Sequence, residues 1–332
     1  MKNFFILTTS TILKSINMYK GIVLVLSACL LWGLIFVIPD LLISFTPLEV
    51  ALGRYFCFGF ISFIIMLCQG INKWLAIPKM IWIQALIYAL VVNIFYYFSL
   101  VLGSRYSNAS TITLLLSLSP ITLALYGNWH HQECSFKQLI LPSLIVIVGL
   151  VLVNYSAINN LCTTSCHTYL FGLGCGIFSL FSWNWYVLSN AKFLKQHPEI
   201  PPSDWATLLG LATLFWVLLI ISFSLIVIEK KSLNKFFVFD RPLQEFLIGS
   251  CILGFLCSWI GAYLWNKGSQ EIPMTLAGQL TIFETIFGLI YVYSFHRRFP
   301  TVWEGVGMMI LLWGTFFTLQ TFKKGQIMAP TH

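Results

Sequence analysis

Ten apolar stretches, each about as long as a bilayer core is thick, constrain this chain more than any other feature. They cover residues 20–40, 47–69, 79–102, 106–128, 136–154, 168–190, 204–228, 243–266, 273–295 and 301–322. A spanning helix needs about 20 predominantly apolar residues, and in lipid every backbone N–H and C=O must be satisfied within the segment, which leaves helices or a closed barrel. The stretches are too long for barrel strands, and most gaps between them are under a dozen residues. Pro47, Pro201, Pro202, Pro242, Pro273 and Pro300 stand at or just before run starts, where a missing N–H costs nothing. The expected fold is therefore an all-α membrane protein of ten transmembrane helices, with no room for a soluble domain. Charged residues make up 9% of the chain and the mean hydropathy is +0.85, against about 25% charged residues in a soluble domain.

The second half echoes the first at an offset of 165 residues. Gly103-Ser104 returns as Gly268-Ser269, and Gly149 returns as Gly314. Five runs per half is an odd number, so the second half enters the bilayer inverted, and a site is expected between the halves. The segments are an N-terminal extension 1–17, a first five-helix repeat 18–157, a second five-helix repeat 166–322 and a tail 323–332. The extension carries Lys14 and no small-residue cleavage site, so it is not read as a cleaved signal peptide; Met18 is an alternative start.

Loop charge sets the orientation. With the N-terminus in the cytoplasm, the first half places Lys2, Lys14, Lys20, Lys73, Lys79 and Lys137 inside against Arg105 outside. The second half places Lys192, Lys195, Lys267, Lys323 and Lys324 inside against Lys230, Lys231, Lys235, Arg241, Arg297 and Arg298 outside, a weak opposite bias that suits an inverted repeat. Both termini are expected to be cytoplasmic, in a bacterial inner membrane. The net charge of +8 is thus orientation charge; it forms no basic stripe with interleaved aromatics, and nucleic acid is not an expected partner.

Ionisable groups inside spans are functional candidates because they are costly there. Glu284 lies near the middle of run 9, and its repeat mate is Ser119. It is the candidate for ion coupling, with protons as partner, or for holding a substrate amine; the competing reading is a protonated acid hydrogen-bonded to a neighbour. Arg54, two turns into run 2, is expected to snorkel to the interface as a structural group. Asp40, Glu49, Glu245 and Glu304 sit at run ends as interfacial or capping groups.

A second signal is polar and aromatic residues at helical spacing. Asn93 and Tyr97 mark one stripe of run 3, Trp183, Tyr186 and Asn190 one of run 6, and Trp259, Tyr263 and Asn266 one of run 8. Asn is costly in lipid, so these stripes are expected to face inward and wall a cavity for an amphiphilic organic molecule. Trp74, Trp82, Trp129, Trp205 and Trp303 fit an interfacial belt. Six of the nine cysteines lie inside apolar runs as small hydrophobes, whereas Cys162 and Cys166 share a polar connector and are either a disulfide or two free thiols. His131, Glu133 and Cys134 lack a second cluster and are not read as a metal site; no cofactor is expected. Nucleotide-binding and hydrolase motifs are absent, so the chain is not read as an enzyme.

The segments "ACLLWGLIFVIPDLL" and "TPLEVALGRYFCFGFIS", with Trp32-Gly33 and then Arg54, resemble runs 1 and 2 of the EamA-type, ten-helix branch of the drug/metabolite transporter superfamily. Pro120, Glu133 and Gly149 resemble that family's run 4 to 5 pattern. Within the superfamily, "GAYLWNKGSQEIPMTLAGQLTIFE" is similar to aromatic amino acid exporters, with Thr285 and Arg298 as departures. The resemblance implies two inverted five-helix bundles, alternating access, and a central cavity lined by runs 1, 3, 4, 6, 8 and 9. Trp32, Asn93, Tyr97, Trp183, Tyr186, Tyr263, Asn266 and Glu284 all lie on those runs. The expected protein is a monomeric exporter of small amphiphilic metabolites, the expected substrates being amino acids with aromatic ones preferred. The alternatives are an uptake carrier for a nucleoside-like or cationic metabolite such as S-adenosylmethionine, and a membrane-embedded enzyme or scaffold.

Overall fold

The computed structural model describes residues 2–107, 112, 115–119, 121–123, 136–153, 166–227, 235–297 and 299–328. Among these residues the chain is all-helical. Nine long helices occur in order: α1 (Lys2–Gly33), α2 (Pro47–Gln69), α3 (Lys79–Ala89, Leu90–Phe95 and Tyr96–Tyr106), α4 (Phe136–Val153), α5 (Cys166–Gln196), α6 (Pro202–Val227), α7 (Arg241–Ile252, Leu253–Ile260 and Gly261–Glu271), α8 (Met274–Leu280 and Ile282–His296) and α9 (Val302–Met328). They correspond to runs 1 to 3 and 5 to 10. Run 4 lies largely outside the described residues, as do the His131, Glu133 and Cys134 group and the Cys162 and Cys166 side chains. Among the described residues, seven helices are long and apolar enough to span a bilayer, and two further apolar stretches, Ile140–Leu152 and Val302–Gly314, are shorter.

The helix starts reflect local chemistry. Thr46 and Glu49 form a reciprocal capping box on α2, with Pro47 in the first turn. Thr301 and Glu304 repeat the same exchange on α9, and Asp240 accepts from the Leu243 N–H on α7. Glu49 and Glu304 are thus the capping groups expected of them, while Glu245 pairs with Arg241.

Outward faces are apolar: Phe181 and Phe223 are 68% and 69% exposed, a surface that lipid covers. Inside, α2 packs on α6, α4 on α9, α1 on α7 and α3 on α5. The landmark glycines sit at close helix crossings. A Cβ on Gly103 of α3 would lie 3.1 Å from the Gly172 carbonyl oxygen of α5, and one on Gly268 of α7 would lie 2.9 Å from the Gly21 carbonyl oxygen of α1. Small residues at such crossings replace the hydrophobic drive that lipid removes.

Two helices depart from α-geometry in mid-span. Leu90–Phe95 of α3 and Leu253–Ile260 of α7 are wound as π-helix. Such turns are uncommon and often mark functional sites.

Candidate functional site

Trp32 of α1 is the hub of a ring cluster. Its indole N–H donates to the Cys257 carbonyl oxygen at 2.8 Å, within the π segment of α7. Gly261 one turn on permits this approach, because a Cβ there would meet the indole nitrogen at 2.5 Å. The Trp32 ring lies 6.0 Å from Trp183 of α5 and 5.5 Å from Trp265 of α7. Trp183 in turn contacts Tyr96 at 5.6 Å and Tyr186 at 6.1 Å. The cluster joins α1, α3, α5 and α7 and is nearly closed, with Trp32 and Tyr186 each 8% exposed. Edge-on and tilted aromatic contacts of this kind are each worth about 0.5–1.5 kcal/mol beyond burial.

Beside the rings lie two charges. Glu284 is half-buried on α8, one turn after Thr281 breaks that helix. Among the described residues its carboxyl makes no hydrogen bond and no ion pair, although Arg54, Tyr96, Cys29 and Cys257 lie within electrostatic reach. Arg54 does not snorkel as expected. It turns inward, donating from Nε to Ser258 Oγ of the α7 π segment at 2.9 Å, with its guanidinium 5.2 Å from the Tyr55 ring centre. The reason is across the bundle: Ser258 donates to the Leu253 carbonyl oxygen, which orients its oxygen toward α2. Tyr55 meets Tyr97 edge-on at 6.2 Å.

The remaining expected residues go elsewhere. Asn93 donates to Thr213 Oγ1 of α6 at 2.7 Å. Tyr263 stacks on Trp259 at 6.0 Å and accepts from Lys267 Nζ at 3.0 Å, without a contact to the Trp32 cluster. Asn266 is fully buried and accepts from Asn190 Nδ2 at 2.8 Å, while Asn190 Oδ1 accepts from the Trp205 indole at 2.6 Å. That chain of amides ties α5, α6 and α7 together, and Trp205 is consequently an interior residue, 0% exposed, and not an interfacial belt residue. The Asn266 Nδ2 is left without a partner.

Sequence reasoning therefore misses Tyr96, Tyr55, Trp265 and the inward role of Arg54. The π segments explain part of this. Each extra residue in a turn rotates the remainder of the helix by about 100°, so the face bearing Asn93 in α3 is not the face bearing Tyr97 one α-turn later. No residue type in either segment signals the change. Polar helix-to-helix contacts also include Ser119 Oγ to Asn184 Oδ1, and Asn184 Nδ2 to Thr122 Oγ1, both at 2.7 Å. Ser119, the mate of Glu284, is thus committed to α5.

Both ends of the bundle carry ion pairs. Lys73, in the α2–α3 connection, pairs with the buried Asp204 of α6 at 2.6 Å. At the other end Lys235 pairs with Glu49 at 2.7 Å and covers the Phe45 and Phe236 rings. A groove of about 620 Å³ on α9 is lined by Gly305, Val306, Met309, Ile310, Leu312 and Trp313, with the Trp313 indole N–H as the one polar side-chain group in that lining.

Comparison with known proteins agrees with this architecture. Over 309 residues the chain is 29% identical to "Inner membrane protein YtfF" of Escherichia coli (strain K12), covering 91% of this chain and 96% of that protein. Over 48 residues it is 33% identical to an "Uncharacterized transporter" of Haemophilus influenzae, covering 14% of this chain and 28% of that protein. A crystal structure superposes with a TM-score of 0.72 at 15% identity, covering 92% of this chain and 98% of the other, a likeness of fold alone. Residues 19–155 match the EamA-like transporter family. Over that first part of the chain, the sequence is similar to the EamA-like transporter family.

Proposed function

We propose that the protein moves small amphiphilic metabolites, amino acids with aromatic ones preferred, across the bacterial inner membrane by alternating access, in the direction of export. The observation that carries this reading is Glu284: a carboxylate within a span, beside aromatic rings, with no hydrogen-bond or ion-pair partner among the described residues. An unsatisfied ionisable group in a membrane is costly and is best explained by a ligand or proton that visits it. The rings of Trp32, Trp183, Tyr96 and Tyr186 supply the apolar wall.

The helix pairing supports a two-fold relation between the halves. Exchanging the halves maps α2·α6 and α4·α9 onto themselves, and maps α1·α7 onto α5·α3. The two π segments fall at corresponding places, and so do the Gly103 and Gly268 crossings. Rocking of one half on the other would open the closed ring cluster to each side in turn. In this reading both termini are cytoplasmic, the protein acts as a monomer in the lipid bilayer, protons couple through Glu284, and no enzymatic step is involved. Arg54 within reach of Glu284 makes the site dipolar, which disfavours a simple organic cation that lacks a carboxylate.

The test is counterflow. Purified protein in liposomes loaded with unlabelled phenylalanine accumulates external labelled phenylalanine, tyrosine or tryptophan above protein-free liposomes. Nucleosides and S-adenosylmethionine compete weakly. Accumulation of those and not of amino acids would replace the amino acid reading by the nucleoside-like one.

A further inference from the structure

We infer that Arg54 is a specificity-determining residue that holds the carboxylate of the transported molecule, opposite Glu284, which holds its ammonium group. This rests on the transporter reading above and names the substrate class of the same site: a zwitterion with an apolar side group, of which an α-amino acid is the simplest.

The geometry of Arg54 is that of a half-used donor. A guanidinium carries five N–H groups and cannot lose its charge in a protein. Only Nε is engaged, on Ser258 Oγ, so that among the described residues the terminal nitrogens have no hydrogen-bond partner and no carboxylate lies within ion-pair distance. The Nε contact and the Tyr55 ring fix the plane of the fork, leaving its terminal edge free for a planar, two-oxygen acceptor. A residue serving only to bridge α2 and α7 has no use for that edge, and a serine-to-serine contact would bridge them without a charge.

Glu284 is the complement. It lies on α8, within electrostatic reach of Arg54 but not paired with it, and Tyr96 lies within reach of both. Two opposite charges in a low-dielectric interior attract strongly, and here the folded helices keep them apart. A zwitterion closes that gap, since its carboxylate satisfies Arg54, its ammonium satisfies Glu284, and the complex is neutral. Its side group meets the rings of Tyr96, Trp183 and Trp32, which already touch one another. A cation would meet Arg54, and a simple anion would meet Glu284; each is repelled by one end of the site. The arrangement therefore selects for two charges of opposite sign on one small molecule.

Competition against labelled phenylalanine in the counterflow assay tests this, using L-phenylalanine, L-phenylalaninamide and N-acetyl-L-phenylalanine as probes. The wild type is expected to favour phenylalanine over either analogue by about 10- to 100-fold, the range for a hydrogen bond to a charged group. Arg54→Gln is expected to erase the preference over the amide while keeping the preference over the N-acetyl compound, and Glu284→Gln to do the reverse. Arg54→Lys keeps the charge without the fork and retains part of the preference. If folded Arg54→Gln weakens all three ligands in parallel, Arg54 is structural and the assignment fails. If Arg54→Gln does not fold, the same ratio in Arg54→Lys and in the wild type decides, and a wild type that accepts the amide as well as the amino acid overturns the inference. A wild type that transports nucleosides and no amino acid refutes the proposed function itself, whereas transport of amino acids with an unchanged ratio in Arg54→Gln removes only the role of Arg54.

Discussion

Replacing Asn190 by Leu tests whether the amide chain, rather than apolar packing alone, holds α5, α6 and α7 in place. Asn190 is fully buried and makes two side-chain hydrogen bonds, accepting from the Trp205 indole at 2.6 Å and donating to Asn266 at 2.8 Å. Leu has a similar volume, so the loss is one of bonding. It strands the Trp205 N–H, and it leaves Asn266, whose Nδ2 already lacks a partner, with neither end of its amide bonded. Interhelical side-chain bonds in membranes average about 0.6 kcal/mol and reach about 1.7, so two bonds give about 1–3 kcal/mol. Trp205→Phe removes one of them and should cost about 0.6–1.7 kcal/mol through bonding. The pair forms a double-mutant cycle, and the expected coupling is the worth of the shared bond, about 0.6–1.7 kcal/mol. Reversible unfolding in mixed micelles or bicelles measures all four stabilities. A coupling below about 0.3 kcal/mol, or an Asn190→Leu variant as stable as the wild type, would refute the view that these amides tie α5, α6 and α7 together.

Other contacts give further expected outcomes. Gly268→Val should lower the amount of folded protein by overpacking the α1–α7 crossing, at about 1–3 kcal/mol, whereas Gly305→Ala, which meets no atom within 4 Å, should be silent; detergent-solubilised yield and thermal stability distinguish them. Trp183→Ala should weaken substrate binding by about 1–3 kcal/mol through loss of its ring contacts, and Tyr263→Ala by less, because Tyr263 stacks on Trp259 away from the cluster; equal losses, measured per folded molecule, would contradict the division drawn here. Glu284→Gln should keep exchange at a reduced rate and lose the response to an imposed pH gradient. Reporter fusions at Met1 and His332 should both read as cytoplasmic, and opposite locations would require an odd number of spans.

Much of this architecture is legible in the residues, and the limits have physical causes. Run length and proline placement locate the helices because lipid leaves the backbone few alternatives, and the Thr46/Glu49 and Thr301/Glu304 boxes act within four residues of sequence. Trp183 and Tyr186 come together because α5 keeps its 3.6-residue period through them. The period fails in α3, where the π segment turns Tyr96 toward Trp183 and leaves Asn93 on α6, whereas in α7 Tyr263 still meets Trp259 at the i, i+4 spacing. The inward turn of Arg54 is hidden for a different reason: its partner Ser258 is 204 residues away, and position along a single helix gives no hint of it. Asn190 and Asn266 read as cavity groups but are spent on each other, since a buried amide is satisfied by whichever polar group is nearest.

The central claim is that the closed junction around Trp32, Arg54 and Glu284 opens alternately to the two sides of the membrane. Cys257 is native, 0% exposed, and its backbone carbonyl receives the Trp32 indole, so it reports that junction directly. With the other eight cysteines replaced, its labelling by a membrane-impermeant maleimide is measured in right-side-out and inside-out vesicles, with and without phenylalanine. The account predicts labelling from both sides, at rates that saturating phenylalanine changes. Labelling from one side only, or from neither on the timescale of counterflow, would contradict it.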